Sequence, residues 1–257
     1  MRAAGAYYFV KGGAYTNWTL LFLVALGSGA TVYPGIANAN AVDTHSFVRI
    51  PARLWLPTPA AYDSFTRANG AIGTSETSGP DGAAQPCTAR TWNNRVGTTQ
   101  IATNKASASA LTGGIAIATV DTGITDTVMQ GTLTSAGDEV GLVLRYVDAD
   151  NYVRVEHDGT NAMLIKRLAT VETTVITAAV ALGAGAVEVH ADGTAFDLFL
   201  NNAQVGTAGT ISDAALQTGT EQGLFSTNVG NTQDAFLVMP RTGGNYSDMN
   251  QWSGVNP

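Results

Sequence analysis

Four side chains in one short stretch carry chemistry: Arg145, Tyr152, Arg154 and Glu156. An aromatic ring offers an apolar face on which a pyranose can stack. Guanidinium and carboxylate groups add oriented, charge-assisted hydrogen bonds to sugar hydroxyls. These residue types together point to recognition of a polyol. The same four have a plainer use as a solvated, salt-bridged sheet face. Arg145 opposite Arg154 is a like-charge pair, and Glu156 on the diagonal would neutralise it. A second group, Glu188, His190 and Asp192, alternates along one run and has ligand types suited to a metal. The preferred reading is an outward polar face opposite the core residues Val187, Val189 and Ala191.

Catalysis has less support. Retaining glycoside hydrolysis needs two carboxylates about 5–5.5 Å apart. Glu139, Glu156, Glu172, Glu188 and Glu221 each stand isolated from a suitable partner. No Gly-x-Ser-x-Gly elbow or phosphate-binding loop is present. The chain is expected not to be an enzyme.

The element that must position the four residues is Glu139–Glu156, two apolar-alternating runs around Asp148-Ala149-Asp150-Asn151. That pattern predicts a β-hairpin closed by a polar turn. Closing it sets Val147 opposite Tyr152, Arg145 opposite Arg154 and Val143 opposite Glu156. Because side chains alternate, Leu142, Leu144, Tyr146, Val153 and Val155 should face a core. Arg145, Tyr152, Arg154 and Glu156 should share the other face.

Around the hairpin, composition narrows the classes. Of 257 residues, 45% are hydrophobic and 13% charged, enough for a sizeable core with a surface of hydroxyls and amides. The net charge of −7 and the absence of a basic stripe argue against nucleic acid as a partner. Cys87 is the single cysteine, so neither an intramolecular disulfide nor a cysteine-based zinc site is available. The apolar run Trp18–Leu26 is shorter than the roughly 20 residues of a membrane helix. It reads as a strand rather than a signal peptide, so membrane insertion is not expected.

About a dozen short strands with turns between them predict an all-β chain, a two-sheet antiparallel sandwich over residues 59–241. Residues 1–58 read as a small N-terminal β module and 242–257 as a tail or linker. Gly35-Ile36-Ala37-Asn38 leading to Phe47–Pro51 echoes Gly223-Leu224-Phe225-Ser226 leading to Phe236–Pro240. Either the module corresponds to the closing strands of a sandwich, or two edge strands are alike by chance.

Asp63–Gly70, Gly141–Tyr146 with Asp150-Asn151-Tyr152, Val187-Glu188-Val189 with Leu198–Asn201, and the closing Asp234-Ala235-Phe236 follow one another in an order that resembles concanavalin A-like (laminin G/glucanase-type) jelly-roll domains. Where that family commonly has Asn-Gly in a late turn, this chain has Asn201-Asn202. The resemblance implies a jelly-roll sandwich, and the laminarinase-type Glu-x-Asp-x-x-Glu strand of its enzymes is absent. It implies a glycan-binding or structural role, as in bacteriophage tail and fibre proteins or secreted carbohydrate-binding modules. The first expectation is a non-enzymatic virion surface or tail-type component whose sandwich binds a cell-surface or extracellular glycan. The alternatives are a purely structural assembly module that decorates a capsid, tail or filament and binds only protein, and a secreted binding module of a larger enzyme or adhesin. A virion or extracellular setting and homo-oligomeric neighbours go with these readings. The resemblance also implies one structural calcium ion near the closing strand, with Asp234 as its carboxylate, against a strand-end Asp making a turn hydrogen bond.

Overall fold

Strict alternation of apolar with polar or small residues recurs through the chain, and it can be buried only by pairing strands into sheets and stacking the apolar faces. The computed structural model describes residues 5–12, 15–25, 58–80 and 82–241. The chain divides into two compact units, Met1–Leu54 and Trp55–Pro257. In the first, β1 (Gly5–Gly12) pairs antiparallel with β2 (Tyr15–Ala25). The expected echo over 35–51 and the tail 242–257 lie outside the described residues.

The second unit begins with β3 (Ala61–Asp63), β4 (Gly70–Ala71), β5 (Ser78–Gly79) and β6 (Gly82–Pro86). Then come β7 (Asn93–Val96), β8 (Thr98–Ala102), β9 (Lys105–Ala110), β10 (Ala116–Asp121) and β11 (Thr127–Thr134). The central hairpin is β12 (Val140–Asp148) and β13 (Asn151–His157), followed by β14 (Asn161–Leu168) and β15 (Val171–Ala179). The chain continues through β16 (Ala186–Asp192), β17 (Ala195–Leu200), β18 (Ala203–Gln204) and β19 (Gly209–Thr210). A 3-10 turn at Ala214–Leu216 precedes β20 (Glu221–Ser226) and β21 (Thr232–Pro240).

Two large antiparallel sheets result, the two-sheet sandwich that the alternation predicts, and β5 and β6 form a separate two-stranded pair. One has seven strands in the order β15-β14-β13-β12-β20-β10-β7. The other has ten, with β18-β17-β16-β11-β21-β9-β8-β4 as its path and β19 and β3 attached to β17 and β21. Leu142, Leu144, Val153 and Val155 from the first sheet join Val187, Val189, Leu198, Phe236 and Val238 from the second in one buried core. Each such side chain contributes about 1.5–3 kcal/mol by leaving water. Trp92 is buried in this core, packed edge-on to Phe236 at 5.0 Å and tilted to Phe65 at 5.7 Å.

Local departures have local causes. β8 and β9 are separated by a tight turn in which Thr103 and Asn104 have φ of 52° and 59°. Asn201 and Asn202, at φ 50° and 66°, make the two-residue turn from β17 to β18. Asparagine tolerates that left-handed region, so Asn-Asn does the work of Asn-Gly. Among the described residues no helix is long and apolar enough to cross a membrane.

Candidate functional site

The central hairpin forms, but not in the simple register. Asp148 pairs with Asn151 at the tip, whereas further down Leu144 pairs with Val153, Leu142 with Val155 and Val143 with Arg154. Arg145, Tyr146 and Val147 of β12 therefore span the place of Tyr152 alone on β13. On the other side of β12, Val143 pairs with Gly223 and Tyr146 with Glu221, leaving two residues opposite Gln222. This is a β-bulge centred on Arg145, whose φ is 49°. The ladder position it vacates is filled by a side chain: Gln222 Oε1 accepts the Arg145 N–H at 3.1 Å, and Gln222 Nε2 donates to the Ile124 carbonyl at 3.1 Å. Gly219 is required here, because a Cβ on it would stand 2.5 Å from the Arg145 carbonyl oxygen.

The bulge reverses the faces of two residues. Arg145 was expected beside Arg154 on the polar face. It instead turns between the sheets at one end of the sandwich, 0% exposed and 4.9 Å from the Phe196 ring centroid. There it donates to Asp126 Oδ1 at 2.9 Å, Gln217 Oε1 at 2.7 Å and the Thr125 carbonyl at 3.1 Å. Burial draws its pKa down and Asp126 opposes that. Tyr146 was expected in the core. It emerges on the outer face and stacks with Tyr152, centroids 5.9 Å apart at 21°. The like-charge pair Arg145–Arg154 does not exist.

What the outer face of the seven-stranded sheet gathers is a band running across the strands. Cross-strand pairs link Glu221 to Tyr146, Tyr152 to Arg167, and Arg167 to Glu172, with the tyrosine stack closing the middle. At one end Arg95 donates through Nε to Glu221 Oε2 at 2.9 Å and to Thr119 Oγ1 at 3.1 Å, and its guanidinium lies 5.9 Å from the Tyr146 centroid. At the other, Arg167 lies 5.9 Å from the Tyr152 centroid and donates to Glu172 at 3.0 Å. The tyrosines are buried beneath these arginines, while the two Arg–Glu pairs keep access to water. Burial raises the pKa of both phenols, so both hydroxyls are protonated donors at neutral pH. Tyr152 Oη and Arg167 Nε, on paired residues, are buried and have no hydrogen-bond partner among the described residues.

Tyr152, Arg154 and Glu156, unlike Arg145, do share this face, but Arg154 and Glu156 are buried rather than solvated. Arg154 donates through Nε to Glu156 Oε2 at 2.5 Å and through both terminal nitrogens to Glu172 at 2.6 and 2.9 Å, over the Phe225 ring. Glu156 and Glu172, isolated in sequence, thus meet through one guanidinium. Burial lifts the Glu156 carboxyl above the ordinary range, and Arg154 pulls against that lift. Hydrogen bonds from Arg154 hold Glu172 down to about 2. Burial lowers the Arg154 pKa, but its bonds to Glu172 and Glu156 outweigh this and raise it. Each carboxylate is tied to an arginine, not set against the other across an open cleft.

The remaining candidates are not brought together. Glu188 and His190 do lie on the face opposite Val187, Val189 and Ala191, with His190 Nε2 2.5 Å from Glu188 Oε1. His190 is buried against Phe199, however, and Asp192 pairs instead with Arg241 at 3.2 Å. Asp234 sits at a bulge of β21, where its Oδ1 accepts the Ala235 N–H at 2.8 Å. Asp63, near the same strand, accepts from Trp92 Nε1 at 2.7 Å, from Arg67 and from the Phe65 N–H. Among the described residues no three His, Cys, Asp or Glu side chains cluster to hold a metal.

Sequence reasoning missed Arg95, Tyr146, Arg167, Glu172 and Glu221 as members of a common surface. One signal pointed to them. A register that put Arg145 against Arg154 was electrostatically unfavourable, and a bulge between them removes the conflict.

No family model matches the chain, and no curated protein matches it. Among solved structures, a carbohydrate-binding module, CBM66 from Bacillus subtilis, is 15% identical with a TM-score of 0.43, covering 58% of this chain and 92% of that one. The GH43 protein BlXynB from Bacillus licheniformis is 14% identical with a TM-score of 0.41, covering 70% and 39%. LamAcat from Zobellia galactanivorans is 10% identical with a TM-score of 0.38, covering 70% and 95%. At these scores the likenesses carry no functional weight, and the reading below rests on the geometry.

Proposed function

We propose that the chain is a non-catalytic glycan-binding β-sandwich whose recognition surface is the outer face of its seven-stranded sheet. The observation that carries this reading is the band itself: two stacked tyrosines capped at each end by an accessible Arg–Glu pair. Arg and Glu side by side offer both donors and acceptors to sugar hydroxyls, and the buried tyrosines beneath them hold the two guanidinium groups in place. The pairing of Glu156 and Glu172 with Arg154 favours binding over hydrolysis, since hydrolysis needs a free carboxylate on each side of the scissile bond. The hydroxyl- and amide-rich composition suits display outside a cell or on a virion, alone or as one module of a larger protein.

The test is a binding screen of the full chain against immobilised glycans, repeated with Arg95→Ala and Arg167→Ala. Hydrogen bonds from charged groups contribute about 1.5–3 kcal/mol, so each variant should lose roughly tenfold or more in affinity. Retention of no glycan, or unchanged affinity in both variants, would overturn the reading.

One observation favours a second reading, assembly through protein contacts. β15 is the outermost strand of its sheet, and Val171 at its start is 64% exposed. Among the described residues this edge has no partner strand, and such an edge can accept a strand from another copy. Sedimentation mass that rises with concentration and falls on Thr173→Pro would support it.

A further inference from the structure

The charges on the outer face specify what kind of glycan the band accepts. Arg95 is matched by Glu221, while Arg154 and Arg167 are matched by Glu156 and Glu172. Asp150, at the rim, lies a further 3.7 Å from Arg167. Among the described residues no cation of this face is in excess. An anionic sugar brought here would lose hydration and meet no unneutralised positive charge in return.

The spacing of the band fixes the ligand's extent. From Glu221 on β20 to Arg167 on β14 there are three strand intervals, or about 14 Å at ordinary strand separation. That is the length of a short oligosaccharide, not of one ring.

We infer that the band binds a neutral, linear oligosaccharide laid across the strands, reaching both Arg–Glu pairs at once, and that it rejects uronate and sulfated sugars. This rests on the glycan-binding reading above. The test titrates the full chain calorimetrically with neutral gluco-, xylo- and fructo-oligosaccharides from mono- to hexasaccharide. Polyuronate and sulfated oligomers of matched length are run beside them, at low and high salt. A neutral series should bind, with affinity climbing until the chain is long enough to reach both ends and then levelling. Salt should leave that affinity unchanged, because no net charge is neutralised. Acidic oligomers should bind at least tenfold more weakly. Glu172→Gln and Glu221→Gln, at opposite ends of the band, should each improve polyuronate binding severalfold, and salt should abolish the gain.

Polyuronate or sulfated sugar binding as tightly as any neutral one would overturn the inference and leave the glycan-binding reading standing. So would acid rejection that neither Gln variant relaxes. Failure of every oligosaccharide, neutral and acidic, would remove both together.

Discussion

Replacing Arg154 by Met tests whether the outer face is held by a buried ionic network. Arg154 is 6% exposed and Glu156 4% exposed, and the Arg154 guanidinium is bonded to Glu156 at 2.5 Å and to Glu172 at 2.6 and 2.9 Å. Arg154→Met leaves the Glu156 carboxylate buried without its cation and with Glu139 and Glu172 as anionic neighbours. Breaking one partner of a buried pair costs about 3–5 kcal/mol. Glu172 adds little, because it is 40% exposed and also bonded to Arg167, and exposed pairs contribute at most about 1 kcal/mol. Urea unfolding near neutral pH should therefore show a loss of about 3–5 kcal/mol at unchanged slope. Arg154→Met/Glu156→Leu removes both charges and should recover most of it. The sign with pH follows from Glu156: its carboxyl sits above the ordinary range, so in Arg154→Met it takes up a proton as pH falls and the deficit narrows. A loss under about 1 kcal/mol, the size of a surface pair, would refute the buried network. So would a double variant no more stable than the single.

Two further perturbations address other parts of the structure. Glu172, held down to about 2 from an ordinary 4.5, contributes stability that is present above 4.5 and lost as pH falls toward 2. Glu172→Gln should thus flatten the fall in urea midpoint across that window, and parallel curves for the two proteins would contradict the assignment. Gly219→Ala places a Cβ 2.5 Å from the Arg145 carbonyl oxygen and 3.0 Å from its Cα. Backbone cannot yield as a side chain tip can, so denaturation should show a loss of about 1–3 kcal/mol. A neutral result would mean that the bulge does not pack against Gly219.

Much of the sandwich could be read from alternation, because Leu142, Leu144, Val153 and Val155 must share one face and do. The hairpin tip was also legible, since Asp148 and Asn151 carry turn chemistry; Asp148 Oδ1 accepts from Asp150 N and Asn151 Nδ2, both at 2.8 Å. The bulge was not. Arginine at φ 49° carries no composition signal of the kind glycine gives, and the residues that make it tolerable, Gln222 and Gly219, lie more than seventy positions away in sequence. A single irregular residue thus moved Arg145 inward and Tyr146 outward, changing half of the expected surface. The band was hidden for a related reason. Arg95 on β7 and Glu221 on β20 become neighbours only through the strand order β12-β20-β10-β7, which local pattern does not encode.

The outer face is tested most directly by NMR of the full chain titrated with a neutral oligosaccharide, following the arginine Nε–H and tyrosine ring signals. The expected result is that shifts concentrate on Arg95, Tyr146, Tyr152 and Arg167 while Arg145, enclosed at the end of the sandwich, stays unmoved. Shifts centred on Arg145 and Asp126, or spread over the outer face of the ten-stranded sheet, would contradict it.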